Sequence, residues 1–553
     1  MNLIQFYLSH APSSKFKIVL ISLISGVSNV FLLSLANNAA EHASQNHFQL
    51  LTATLYLLTV LIYFLSQQFL WTTVNQLAQD IQYKIRKNVF TKLARHDFES
   101  LEQLGKGYIY NTLTQHGTTI TVSTIPVFHA IQGFILVFFI LGYLAYLSVL
   151  AFTITLVFIG LVVLFALLRS DVANSRLDNA IIKEQEFFHS LEDILEGFKE
   201  IKLNSNKQGD LLRMADNVAK GARELRVQAN MELTTLAVIS QTALYLLLAI
   251  LVFFLPQLSL GTGYQDTIIK VVTAGLLLFP PVTSIIMLMP TFSNTQISIN
   301  HLLALETSLD EHASDNISEH LDIEEFIPFD GLSLTGIRHS YRKNSPANTA
   351  GTGGNGNGFS IGPINVDIRP NRIIFITGGN GSGKSTLMKV LSGLYQPTQG
   401  EITINGNTVD SDNIIAYRNI FAGVFSDFRL FSHNYGLSHI DNDKMKVLLD
   451  KMGLKGKTSL VDGQFSTTSL STGQMKRLAL VISILEERPV MIFDEWAADQ
   501  DPTFRKTFYH DIIPELKTQG KTVIAITHDE KYFDCADQHF HMSDGLLEEV
   551  IKQ

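Results

Sequence analysis

The chain is constrained first by six apolar runs, each close to the ~20 residues that a helix needs to cross a bilayer. They lie at about 16–36, 51–70, 125–147, 149–168, 236–255 and 267–289. The third and fourth runs are nearly continuous, which predicts a hairpin with a very tight turn near Ser148. Composition points the same way. Only 17% of the 553 residues are charged and 46% are apolar, a balance that leans toward a membrane protein. A chain of this length also exceeds what one core supports, so two or more domains are expected. The apolar excess falls in residues 16–290, whereas residues 320–553 have the composition of an ordinary soluble α/β domain.

Lysine and arginine set the orientation. The connection between runs two and three carries Lys84, Arg86, Lys87, Lys92, Arg95 and Lys106, and the one between runs four and five carries nine basic residues from Arg176 to Arg226. The connections at 37–50, 148 and 256–266 carry none. Both long polar connections and both termini are therefore expected in the cytoplasm. Reading the first run as a cleaved signal would leave an odd number of spans and break this alternation. The stretches QLAQDIQYKIRKNVFTKLARHDF and NAIIKEQEFFHSLEDILEGFKEIKLN keep a 3.6-residue period, so membrane helices should continue into the cytoplasm and turn back near 97–105 and 204–210. Pro280-Pro281 must kink the sixth run. The single cysteine, Cys535, excludes an intrachain disulfide framework, and a net charge of −9 argues against a nucleic-acid partner.

The soluble half follows a charged stretch at 309–326, read as a linker, and contains a Gly/Asn-rich surface loop at 343–358. RIIFITGGNGSGKSTLMKVLSGL (372–394) then places GGNGSGKS between a β-branched strand and a helix, the context that a phosphate-binding loop requires. Gly378, Gly381 and Gly383 let backbone amides turn around the phosphates, Lys384 supplies charge to them, and the hydroxyl of Ser385 ligates Mg²⁺. This loop gives meaning to FDEWAADQDP (493–502), whose acids alone would pass for a solvated turn. Asp494 ends a buried strand where it can hold Mg²⁺ through water, and Glu495 is placed to orient and deprotonate the water attacking the γ-phosphate. Asp499 reads as part of a solvated turn.

LSTGQ (470–474) opens a helix about twenty residues before FDE, and His528 follows a further apolar strand in VIAITHDE. Together these phrases resemble an ATP-binding-cassette (ABC) ATPase, and the six-span region before them resembles an ABC exporter half-transporter. The resemblance implies an all-α six-helix transmembrane domain at 1–308 and a linker at 309–326. An α/β P-loop ATPase domain would follow at 327–553, using ATP and Mg²⁺. It implies that Tyr341 stacks on adenine and that Asn380 and Thr386 complete the nucleotide-binding loop. Ser471, Gly473 and Gln474 would contact ATP bound to the opposite subunit, Asp501 would link the two sites across a homodimer, and His528 would hold the γ-phosphate and the catalytic water.

The sequence departs from the family pattern at three places. Thr472 replaces a glycine, Trp496 replaces a proline, and Ser426 stands where most ABC ATPases have glutamine, so that Asp427 or a water would have to help Ser426 toward the metal. GFKEIKLN, VFSDFRLF and DEWAADQDP further resemble the bacterial cyclic-peptide and siderophore exporters, the pyoverdine and syringomycin type. That subgroup implies a peptide-type cargo and a place in the bacterial inner membrane. A broad drug or lipid exporter shares every catalytic motif, and a regulatory membrane ATPase is a third reading. Tyr63, Gln67, Gln68, Gln241 and Tyr245 are the candidate cargo contacts.

Overall fold

The computed structural model describes residues 3–10, 15–44, 50–258, 264–311, 327–341, 359–437 and 442–551. The 343–358 loop and the linker beyond Glu311 lie outside these residues. The chain forms two compact units, Met1–Thr91 with Gly107–Ser308, and Lys92–Lys106 with Leu309–Gln553. The second unit therefore includes a short piece of sequence that lies between two membrane runs.

The first unit is helical throughout its described residues. α1 (Leu3–His10) and α2 (Lys15–Ser44) precede α3 (Leu50–Arg95). α4 (Phe98–Leu104) belongs to the second unit. α5 (Lys106–Asn111) passes through a π-helical turn at Thr112–His116 into α6 (Gly117–Leu147). α7 (Val149–Glu196), α8 (Phe198–Leu203) and α9 (Ser205–Ala249) follow. A second π turn at Ile250–Phe254 leads to α10 (Leu255–Leu258), and α11 (Tyr264–Leu277) and α12 (Phe279–Glu311) close the set.

Among the described residues, six segments are long and apolar enough to cross a membrane. α3 alone has 46 residues, about 70 Å at ~1.5 Å per residue, more than twice a ~30 Å hydrocarbon core. Side-chain caps open the helices that follow three of the breaks. Ser148 adopts an extended conformation and accepts from the amide of Ala151 at 3.3 Å, which makes the hairpin turn in one residue. Asp97 caps α4 by accepting from the Ser100 amide at 2.6 Å, and Asn204 caps α9. The sixth span is interrupted at Leu278, because Pro280 and Pro281 lack the amides that would reach back to the carbonyls of Leu276 and Leu277. Gly133 of α6 faces the break; a Cβ there would stand 3.1 Å from the Pro281 carbonyl oxygen.

The second unit is α/β. It runs β1 (Leu332–Ser340), β2 (Ser360–Ile368), β3 (Ile373–Gly378), α13 (Lys384–Leu391), β4 (Gln399–Ile404) and β5 (Asn407–Thr408). Then come α14 (Ile414–Arg418), β6 (Phe421–Val424), α15 (Asn442–Lys451), β7 (Leu460–Val461), β8 (Gln464–Phe465) and α16 (Thr472–Leu485). β9 (Val490–Asp494), α17 (Pro502–Thr507), α18 (Ile513–Thr518), β10 (Thr522–Ile526), β11 (Gln538–Ser543) and β12 (Leu546–Glu549) complete it. A six-stranded sheet has the order β12-β11-β3-β10-β9-β6, parallel except for β12, and an antiparallel sheet has the order β2-β1-β4-β5.

Every residue of β3, β9 and β10 is buried, as expected for a parallel sheet covered on both faces. Leu449, Leu478 and Phe508 cover one face, and Leu387, Leu391 and Tyr417 cover the other. Ligand-binding loops of such sheets gather at the carboxyl ends of the strands. β10 lies between β3 and β9, with Ile526 paired to both Ile376 and Asp494, so the segments after these three strands emerge side by side.

Candidate active site

The segment after β3 is the phosphate-binding loop. Gly378 has φ +146°, and a Cβ there would lie 2.1 Å from the carbonyl oxygen of Met542, so only glycine fits. Asn380, Gly381 and Ser385 are exposed along the loop, and Gly383 caps the start of α13. Lys384 donates to the carbonyls of Gly378 (3.0 Å) and Gly379 (2.9 Å). Burial lowers its pKa, and the charges of Glu495 and Asp494 work against that shift. Thr386 meets the hydroxyl of Tyr341 at 3.1 Å, which anchors that ring beside the loop, edge-on to Tyr395 and His339.

The segment after β9 brings in the acids. Asp494 is buried, and burial pushes its carboxyl above the usual carboxylate range, against hydrogen bonds from Ser426 and Ser385. Its Oδ1 has no hydrogen-bond partner among the described residues. One carboxylate beside two hydroxyls, with an orphaned buried oxygen, is a donor set that suits a hard cation such as Mg²⁺. Ser426 thus faces the aspartate and lowers its pKa, and Asp427 stays exposed outside this group. Glu495 has a left-handed backbone (φ 47°, ψ 36°), and its Oε1 lies 3.1 Å from Nε2 of His528, carried by the segment after β10. Asp529, next to that histidine, is held by Arg505 at 2.9 Å and by the Tyr509 hydroxyl at 3.1 Å.

The residues around α16 form a second cluster. Ser471 and Gln474 make a reciprocal capping box. A Cβ on Gly473 would approach the Asp499 carbonyl oxygen to 2.8 Å, and Gln500 donates to the Gly473 carbonyl at 3.1 Å. Asp501 caps α17 and pairs with Arg477 at 2.7 Å. Among the described residues, none of the hydrogen bonds of Ser471, Gly473, Gln474 or Asp501 reaches the phosphate-binding loop.

Sequence reasoning missed part of this cluster. Asp499 is more than a solvated acid, because its carboxylate lies 2.7 Å from the buried ammonium of Lys476. Neither Lys476 nor its bonds could be read from spacing. In the membrane unit, Gln67 donates to Ser25 at 2.9 Å and Tyr245 packs on Phe279 with ring centroids 5.1 Å apart. Gln68 and Gln241 are exposed and Tyr63 is half-buried; no hydrogen bond or ring contact among the described residues joins the α3 members of this set to the α9 members. The third apolar run also contains His129, whose ring lies 4.4 Å from Trp71 in a niche with Phe128 and Gln132.

Comparison with known proteins fits this geometry. Residues 361–498 match the family model described as "ABC transporter". The ATP-binding protein SyrD of Pseudomonas syringae pv. syringae is 30% identical over 98% of this chain and 95% of its own length. The probable syringafactin export ATP-binding/permease protein SyfD of Pseudomonas syringae pv. syringae (strain B728a) is 28% identical over 34% of this chain and 31% of its own length. A bacterial Atm1-family ABC exporter with ATP bound has the same fold, with a TM-score of 0.77 over 97% of this chain and 94% of that one at 16% identity. With six spans, a phosphate-binding loop and a relative matched along nearly its whole length, this chain belongs to the ABC transporter family; it has the fold of an exporter half-transporter, uses ATP and Mg²⁺ and couples ATP hydrolysis to transport.

Proposed function

We propose that the chain exports a cyclic, siderophore-type or otherwise modified peptide across the bacterial cytoplasmic membrane, as a homodimer that alternates between inward and outward openings. The observation that carries the catalytic part is the 3.1 Å contact between Glu495 and His528 on adjacent segments beside the phosphate-binding loop. The cargo class rests on the phrases at 197–204, 424–431 and 494–502 and on SyfD, a relative described as a probable syringafactin export protein.

In this reading Tyr341 offers its ring to adenine, and the amides of the loop and Lys384 hold the β- and γ-phosphates. Ser385 and Asp494 would hold Mg²⁺, with Ser426 beside the aspartate. Bound there, Mg²⁺ neutralises charge that builds up on the phosphate oxygens. Glu495 takes a proton from water as the water oxygen bonds to the γ-phosphorus, and the bond to the β-phosphate oxygen breaks to release ADP. His528 donates to a γ-phosphate oxygen and keeps Glu495 aimed. Ser471 and Gly473, at the N-terminus of the 14-residue α16, meet the γ-phosphate bound to a second copy, so two composite sites form around a two-fold axis.

ATP then joins the two ATPase units, and hydrolysis releases them. The turns at 97–105 and 197–204 carry the change to the membrane helices; the second sits earlier than the 204–210 expected from sequence, because α7 ends at Glu196 and α9 begins at Ser205. For the first turn the support is direct: Glu102 of α4 accepts from the Tyr395 hydroxyl at 2.5 Å and from Lys389 of α13 at 3.2 Å, and α13 starts at the phosphate-binding loop.

Glu495→Gln in the purified full-length protein tests the catalytic reading. ATP binding should persist, the closed dimer should accumulate, and turnover should fall at least about a hundredfold, the usual contribution of a general base. Multiple turnover at the wild-type rate would remove Glu495 from the mechanism.

A further inference from the structure

Glu495 is a non-glycine residue at φ 47°, a left-handed conformation that costs on its own and persists only where the surroundings impose it. The surroundings that impose it are specific. The ammonium of Lys476 is 5% exposed and donates to the Glu495 carbonyl at 2.9 Å while pairing with Asp499 at 2.7 Å. Trp496, the residue after the glutamate, is buried against Phe508 and donates from its indole nitrogen to the Lys476 carbonyl at 2.8 Å. The two bonds run in opposite directions between the first turns of α16 and the segment 495–499. A buried charge is expensive without compensation, and here it is compensated by the Asp499 carboxylate together with the backbone carbonyl of Glu495.

We propose that Lys476 is a positioning residue for Glu495, and that Lys476, Trp496 and Asp499 form a brace that makes the start of α16 and the glutamate move as one body. This inference rests on the reading of Glu495 as the base. Ser471, the residue assigned above to the ATP of a second copy, caps α16, so the brace ties engagement of one ATP site to the placement of the base in the other. Trp496 in place of proline thereby acquires a task, since proline has no side-chain donor for the Lys476 carbonyl.

The test is steady-state ATPase kinetics on full-length Lys476→Met, Trp496→Phe and Glu495→Gln, with ATP binding and melting temperature measured on each. Lys476→Met should lower kcat about ten- to a hundredfold, the scale of a small misplacement of a reacting group, and leave KM for ATP within about twofold. Trp496→Phe keeps a stacked aromatic ring but loses the N–H together with part of the indole, so its kcat should fall with the same unchanged KM, and its melting temperature reads the packing that is lost with it. In single-turnover measurements, Lys476→Met added to Glu495→Gln should cause no further loss, because it acts through the glutamate. Wild-type kcat in a folded Lys476→Met protein, or a kcat loss matched by an equal loss of ATP binding, overturns the brace. Should Lys476→Met fail to fold, Trp496→Phe decides alone, and its kcat at wild type overturns the proposal. If Glu495→Gln is inactive while Lys476→Met and Trp496→Phe are normal, the brace alone falls; if Glu495→Gln turns over normally, the base and the brace fall together.

Discussion

Gly473 has no Cβ to spare. A methyl group would press within 2.8 Å of the Asp499 carbonyl oxygen, in the segment that also carries the Lys476 contact. Gly473→Ala should therefore displace the start of α16 from the 499–501 segment and reduce ATPase activity about tenfold or more. Binding of ATP to the phosphate-binding loop should be retained, because that loop shares no hydrogen bond with Gly473; equilibrium nucleotide binding beside steady-state turnover checks both halves. At this scale the sequence was informative wherever chemistry is local. Gly378, Lys384, Ser385, Asp494 and Glu495 announce themselves by spacing from a strand. What spacing could not show are bonds made across the fold. Ser426 stands 68 positions before Asp494 and Lys476 stands 19 before Glu495, and nothing in either local stretch specifies its partner.

Among the elements, β3 carries the phosphate-binding loop and is pinned at its other end. Asp537 accepts from the Ile373 amide at 2.8 Å and from Lys517 at 2.7 Å, with Arg372 at 3.7 Å. Burial alone would raise the Asp537 pKa, but the Lys517 and Ile373 hydrogen bonds and the nearby positive charges outweigh it and hold the carboxyl below its usual range. A folded-state pKa below the unfolded one stabilises the protein fully above the usual aspartate value of about 3.9, and that stabilisation is lost as pH falls through the lowered value. Asp537→Asn should cost about 1–3 kcal/mol at neutral pH and flatten the acid limb of a melting-temperature profile of the full-length protein. An unchanged acid limb would contradict the assignment.

Helix ends were legible near Ser148 and at the 97–105 turn, and the paired prolines marked the interruption at Leu278, but the period read through Asn204 hid the end of α7 at Glu196. The π turns at Thr112–His116 and Ile250–Phe254 were not legible, because a single wider turn of five residues is too short to register in the apolar pattern on either side. Nor did the sequence show that α4, lying between two membrane runs, packs with the α/β unit; that follows from contacts such as Glu102 with Tyr395.

For the whole molecule, two signals of different kind were each visible in one sequence. Apolar length specified the membrane helices, and strand–loop–helix spacing specified the ATPase. The cargo leaves no comparable mark, because side chains such as Gln67 and Tyr245 serve packing and binding equally well. Export of a peptide is therefore tested on the cargo itself. The measurement is untargeted mass spectrometry of culture medium and cell extract from the native host, carrying either the wild-type chain or Glu495→Gln. The account predicts a peptide that disappears from the medium and accumulates in the cells of the Glu495→Gln strain. A lipid or other non-peptide compound that behaves this way in place of a peptide, or identical profiles despite intact wild-type ATPase activity, would contradict it.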